Sequence, residues 1–242
     1  MEKEVTMKRI ITTFTFALCA VAVFAQSEPS PGFYQQIKTK FIEGSPAFMS
    51  LVALALVLGL AFCIERIIYL SLSDVNTKRM MADITDKTEQ GNLEEAKEIC
   101  RATRGPVSAI CYQGLVRANL PIDEIERTVE SYGSVQIAKM EKGCSWIKFF
   151  IAVAPSLGFL GTVIGMVMAF DMIQMAGDIS ATIVAEGMKV ALITTIFGII
   201  VALILQLFYS YILSKIERLT AQMEEAAVLL IDAIGKYKRN KG

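Results

Sequence analysis

APSLGFLGTVIG, from Ala154 to Gly165, decides how this chain folds, together with its later counterpart ALITTIFG, from Ala191 to Gly198. Both lie inside long apolar runs. Around the first, Ala154, Gly158, Gly161, Gly165 and Ala169 recur at helical spacing, so one helix face has almost no side chain. Thr162 lies on the edge of that face. Around the second, Ala191, Thr195, Gly198 and Ala202 repeat the pattern. Small residues let helix backbones approach in lipid, where no hydrophobic force draws helices together. Plain helix packing accounts for the glycines. The threonines add polar oxygens where lipid cannot solvate them, which suggests packing around something narrow.

Composition agrees with a membrane protein. Of 242 residues, 54% are hydrophobic, and mean hydropathy is +0.49. The apolar residues are bunched into runs rather than spread along the chain. Net charge is zero, and no nucleic-acid partner is expected. The chain has no histidine, which removes the usual metal ligand, the usual general base and any Ser-His-Asp arrangement. Five cysteines are present, none in a CxxC pair. They read as reduced, structural thiols, and neither a metal nor another cofactor is expected.

We therefore expect an all-α integral membrane protein with three long transmembrane helices after a signal peptide. Residues 1–25 read as the signal: Lys8 and Arg9 precede an apolar core, and Val23-Phe24-Ala25 fits a cleavage site. Residues 26–45 form an outer, periplasmic segment, with an amphipathic helix expected from Phe33 to Glu43. The first span is 46–69, opened by Ser45-Pro46 as cap and first helical residue. Glu65-Arg66 near its end form a membrane-edge ion pair. Arg66 reads either as an anchor reaching lipid phosphates or as one half of a link between subunits.

Residues 70–146 read as a helical cytoplasmic domain, broken at Gly91-Asn92 and Gly105-Pro106. Its last helical stretch is expected from Pro121 to Cys144. The second span is 147–175, with Pro155 expected to kink it or loosen its bonding. A periplasmic turn follows at 176–182, then the third span at 183–213. The helix continues as a cytoplasmic segment with a basic tail, 214–242. No Lys or Arg occurs between Lys148 and Lys189, so that turn belongs outside and the C-terminus inside.

Ionisable groups inside a span normally mark an ion path. Here the middle of every span lacks Asp, Glu, Lys and Arg. Asp171, Glu186 and Lys189 sit towards the outer ends and are candidates for an outer entrance. Thr162, Thr194 and Thr195 are the strongly polar groups at middle depth, and are the candidate pore-lining residues. Counted from the outer ends, Thr162 and Thr195 fall within roughly two helical turns of each other. A threonine can hydrogen-bond a carboxyl group but cannot itself carry a proton at neutral pH. Bonding back to its own helix carbonyl is the competing role for each. If protons move, another chain must supply the titrating group. Ala154, Pro155, Gly158, Gly161, Gly165, Ala191 and Gly198 are the candidates for close helix packing.

GFLGTVIGM at Gly158 to Met166, preceded by Ala154-Pro155, resembles the second-span signature of the ExbB/TolQ/MotA proton-channel proteins. ALITTIFGI at Ala191 to Ile199 resembles their third-span motif, and Glu65-Arg66 and the loop between the first two spans also fit. The resemblance runs from about Pro46 to Leu219 and is strongest to ExbB. It implies a bacterial inner-membrane protein that forms a pentamer around the single spans of an ExbD/TolR-like partner. That partner's aspartate takes and releases the proton, and a TonB-like or TolA-like protein transmits the work to the outer membrane. By position, Thr162 and Thr195 would face that aspartate. Some relatives carry a glutamate one turn before the third-span threonine; here Val190 occupies the place. Three hypotheses follow. The chain is a proton-driven energiser of TonB-dependent transport or of the TolQ type; it is a membrane scaffold; or it is a membrane-bound hydrolase or redox enzyme, which the missing histidines and phosphate loops disfavour.

Overall fold

The computed structural model of the chain describes residues 41, 44, 46–177 and 181–241. The expected signal at 1–25, nearly all of segment 26–45 with its helix, the Ser45 cap and residues 178–180 lie outside them. Gly44–Gly242 forms one compact unit. Among the described residues it is all helix: α1 (Pro46–Ser73), α2 (Thr77–Glu89), α3 (Leu93–Ala102), α4 (Pro106–Val116), α5 (Ile122–Glu141), α6 (Cys144–Ala176) and α7 (Ala181–Lys241).

The breaks between helices follow local chemistry. Gly91 at φ +87° and Gly143 at φ +88° occupy the left-handed region that other residues avoid. Pro106 opens α4 and Pro121 precedes α5, where a missing N–H costs nothing. The expected stretch from Pro121 to Cys144 is cut short: Lys142 and the left-handed Gly143 end α5, and α6 starts at Cys144. α6 then runs unbroken through Pro155, although the proline ring withdraws one donor from the ladder. Gly177, left-handed at φ 71°, closes α6 and donates its N–H to the Ile173 carbonyl at 3.1 Å.

The 61 residues of α7 make it the axis of the molecule, about 90 Å long at 1.5 Å per residue. Its first half packs on α1 and α6; its second half packs on α2, α4 and α5. Its buried residues recur alternately three and four apart: Ala191, Thr194, Gly198, Val201 and Leu205, then Ile212, Ile216, Leu219, Met223, Ala226, Leu230 and Ala233. That is a sustained heptad seam, the period that keeps one stripe facing its neighbours at a shallow crossing angle. The seam is continuous, but the opposite face changes. Leu192, Ile196, Leu203 and Leu207 are exposed along the first half, whereas Glu217, Arg218, Glu224 and Glu225 are exposed along the second. Apolar on all sides means lipid; apolar on one side means water on the other.

The same division runs through the described residues. Among the described residues three helices are long and apolar enough to cross a membrane, and the protein is a multi-pass membrane protein. The polar half has an ordinary core, where each fully buried Leu or Ile contributes about 1.5–3 kcal/mol. Cys100 and Cys111 lie in that core, with the Cys111 thiol 3.5 Å from the Met81 sulfur. Burial pushes the Cys100 thiol up to about 12, so it stays protonated and unreactive at neutral pH.

Candidate functional site

The small faces of α6 and α7 meet each other. The helices run antiparallel, and main chain meets main chain where Gly158 faces Gly198. A Cβ on Gly198 would lie 2.6 Å from the Ala154 carbonyl oxygen and 3.2 Å from the Gly158 Cα. A Cβ on Gly158 would lie 3.1 Å from both the Thr194 carbonyl oxygen and the Thr195 Cα. Backbone thus touches backbone, which only glycine permits. The contact continues outward through Gly165 against Ala191 and Ala169 against Gly187. Ala154, Pro155, Gly158, Gly161, Gly165, Ala191 and Gly198 therefore come together along one seam. Gly187 belongs to it and is missing from the sequence reading, although it stands four residues before Ala191. Ala202 is only half-buried.

The three threonines separate. The Thr162 and Thr195 hydroxyls are in direct contact across the two helices. Thr195 also donates to the Gly158 carbonyl on the other helix at 3.1 Å. Thr162 lies within reach of its own-helix Gly158 carbonyl at 3.2 Å and of the Ala191 carbonyl at 3.4 Å. Both residues are half-buried. Thr194 is different: it is 0% exposed, and its hydroxyl donates to the Val190 carbonyl at 2.9 Å. Its methyl group fills the space that Gly161 leaves, where a Cβ would lie 2.7 Å from it. Neighbouring residues on a helix point about 100° apart, so only one of the pair 194–195 can sit at the edge of the seam. Within this chain Thr194 lies inside the helix contact and offers no surface to a passage.

Chemically, the Thr162–Thr195 pair is a hydroxyl cluster on a face without charge. Two protons are shared among two hydroxyls and two carbonyls, so lone pairs remain for an outside donor. The nearest ionisable candidates are far along the helices. Asp171, Glu186 and Lys189 are exposed and stand near the outer ends of α6 and α7. Asp171 and Glu186 carry no ion pair among the described residues, and no group of three potential metal ligands occurs there.

Glu65 and Arg66 form a pair, but not one aimed at the surface. Arg66 is 7% exposed. Its guanidinium holds both Glu65 carboxylate oxygens, at 2.7 and 2.5 Å, and donates to the Lys139 carbonyl at 3.3 Å. The Tyr69 ring lies 4.9 Å from its carbon. Arg66 thus turns inward onto the end of α5, beside Gly143, instead of reaching out to lipid phosphates. Its partner Glu65 is its own neighbour in the chain. The link fixes α1 to the junction where the polar half enters the apolar half. Arg66→Lys keeps the charge but loses the two-pronged geometry. We expect it to lower stability by about 1–2 kcal/mol, and Arg66→Ala by about 1.5–3 kcal/mol, read by thermal unfolding of the detergent-extracted protein.

Comparison with known proteins agrees with this architecture. Residues 102–225 match the MotA/TolQ/ExbB proton channel family, a span that takes in α4, α5, α6 and most of α7 with both threonine positions. An ExbB homolog of Methanothermobacter thermautotrophicus is 33% identical over 191 residues, covering 78% of this chain and 67% of that protein. An ExbB-like protein of Synechocystis is 29% identical over 198 residues, covering 79% of this chain and 77% of its own. The biopolymer transport protein ExbB of Aquifex aeolicus is 29% identical over 132 residues, covering 51% of this chain and 86% of its own. The chain belongs to the MotA/TolQ/ExbB proton channel family and is ExbB-like within it.

Proposed function

We propose that this chain is the wall of a narrow proton passage in a bacterial inner membrane, and that a single-span partner of the ExbD/TolR type supplies the titrating carboxylate. In this reading α6 and α7 of several copies, five by the family resemblance, surround the partner's helix. The Thr162–Thr195 hydroxyls face it, the polar half lies in the cytoplasm, and the region before α1 lies in the periplasm. Proton flow then drives a TonB-like protein that energises transport across the outer membrane. The similarity to ExbB proteins favours this system over a TolQ-type one.

One observation carries the reading: a half-buried hydroxyl pair on the small seam, with no ionisable side chain in the middle of any of the three apolar helices. Hydroxyls can accept a hydrogen bond from a passing protonated carboxyl, but they need that carboxyl from elsewhere. Thr162→Val removes the hydroxyl at nearly constant volume. It is expected to leave the amount and size of the membrane complex unchanged and to abolish energised uptake. A scaffold role also has an observation behind it, since both hydroxyls find acceptors inside the chain. That role predicts undiminished uptake in the same variant.

A further inference from the structure

The polar half carries two open grooves that the threonine site does not use, on opposite flanks of α5. The buried stripe of α5 is Ile125, Val129, Gln136 and Met140. At about 100° per residue, Glu126 and Glu130 fall to one side of it and Arg127, Ser131 and Val135 towards the other. The first groove lies between α5 and α7 and encloses about 360 Å³. Its floor is apolar, with Val129, Met223 and Ala227, and Glu126, Glu130 and Glu224 line it. Val228 beside them is 68% exposed, an aliphatic side chain open to water on the half of α7 that also exposes Glu217, Glu224 and Glu225. The second groove lies between α4 and α5, holds about 380 Å³ and is lined by Arg117 and Arg127 with Val135. Val135 is 46% exposed.

The charges that line each groove are of one sign, acidic at the first and basic at the second. Some charges of the polar half are paired: Lys87 with Glu95, Lys97 with Glu94, Arg218 with Asp74 and Lys236 with Glu89. Glu126, Glu130 and Glu224 have no ion pair among the described residues, and neither has Arg127. Three carboxylates on one groove repel one another, and a cation set between them would relieve all three. A complementary surface of similar size on this chain is the arginine flank. It faces away on the same helix, so one molecule cannot fold its own arginine flank into its own acidic groove.

We propose that the acidic α5–α7 groove of one copy receives the Arg117/Arg127 flank of a second copy. Val228 and Val135 are covered in the contact, and the arginines enter between the glutamates. The two surfaces differ, so the contact is head-to-tail and passes from copy to copy; it closes as a ring rather than a two-fold pair. Charge complementarity of this kind sets register and excludes wrong pairings more than it adds affinity. The proposal rests on the reading that several copies surround one passage, and it adds the surface that orders them.

The test uses the full chain in membranes, co-expressed with its single-span partner. Two differently tagged copies carry Glu224→Cys and Arg127→Cys, and oxidation follows. A mixed cross-link is expected when both are present, with at least about tenfold less product from either variant alone, because each flank meets only the other. In a second arm, Glu126→Arg with Glu224→Arg is expected to lower the fraction of chain in the multi-copy complex about tenfold, and added Arg127→Glu with Arg117→Glu to restore most of it. Absence of the mixed cross-link in a complex of normal mass overturns this contact and leaves the threonine passage standing. So does unchanged assembly of the charge-reversed chain. A cross-link from Glu224→Cys to the single-span partner also overturns it, by giving the groove another occupant. Loss of uptake in Thr162→Val is read separately, so failure of one reading is not mistaken for failure of the other.

Discussion

Gly198→Leu should yield no assembled complex in the membrane. The reason is where the added atoms would go. The first of them, the Cβ, already lies 2.6 Å from the Ala154 carbonyl oxygen and 3.2 Å from the Gly158 Cα. Those are main-chain atoms, held by the α6 ladder, and they cannot turn aside as a side chain can. Overpacking an ordinary core costs about 1–3 kcal/mol because neighbours shift. Here the helices themselves must separate, and the Thr162–Thr195 and Thr195–Gly158 contacts go with them. We expect the cost to be at or above the upper end of that range. Gly59 gives the matching control. A Cβ there lies 2.6 Å from the Leu205 Cδ1, the far end of a flexible side chain. Gly59→Ala should therefore assemble normally, while Gly198→Leu does not. The measurement is the amount and mass of complex extracted from membranes, and equal recovery of both variants would show that α6 and α7 do not cross backbone to backbone.

The second large effect is a loss of activity without loss of structure. Thr195→Val should abolish energised uptake, and Thr194→Val should leave most of it. The two residues are adjacent and chemically identical, so propensity and volume cancel in the comparison. They differ in what their hydroxyls touch. Thr194 is enclosed and bonds its own helix at Val190; replacing it forfeits about 1 kcal/mol of hydrogen bonding that the backbone does not need. Thr195 bonds across to Gly158 and touches Thr162 at the open edge of the seam. On our reading it is part of the surface the proton carrier meets. Comparable uptake in the two variants would assign both threonines to packing.

Much of this was readable from residue types and spacing. The small faces, the three apolar helices and the length of the last helix follow from periodicity, because a helix buries every third or fourth residue whatever its surroundings. The heptad seam of α7 was equally present in the sequence. It is hidden because the apolar half is hydrophobic on all sides, so the stripe from Ala191 to Leu205 does not stand out from its background. Three other features are not local. Arg66 looks like any cation at a helix end until the Lys139 carbonyl, 73 positions later, arrives beside it. The break at Gly143 sits in a run with good helical pattern on both sides, and a glycine alone does not say whether φ turns positive. The split between Thr194 and Thr195 depends on how α7 is rotated against α6, which is set by the backbone contact at Gly158 and Gly198 and by nothing in the TT pair itself.

The most direct test of the central idea is proton flux into sealed vesicles holding the purified chain, followed with a pH-sensitive dye under an imposed membrane potential. With the chain alone the account predicts flux equal to that of empty vesicles, because no span carries an ionisable group at middle depth. Adding the single-span partner should raise the flux, and Thr195→Val should return it to the baseline. Flux through the chain alone, undiminished by Thr162→Val or Thr195→Val, would contradict the account.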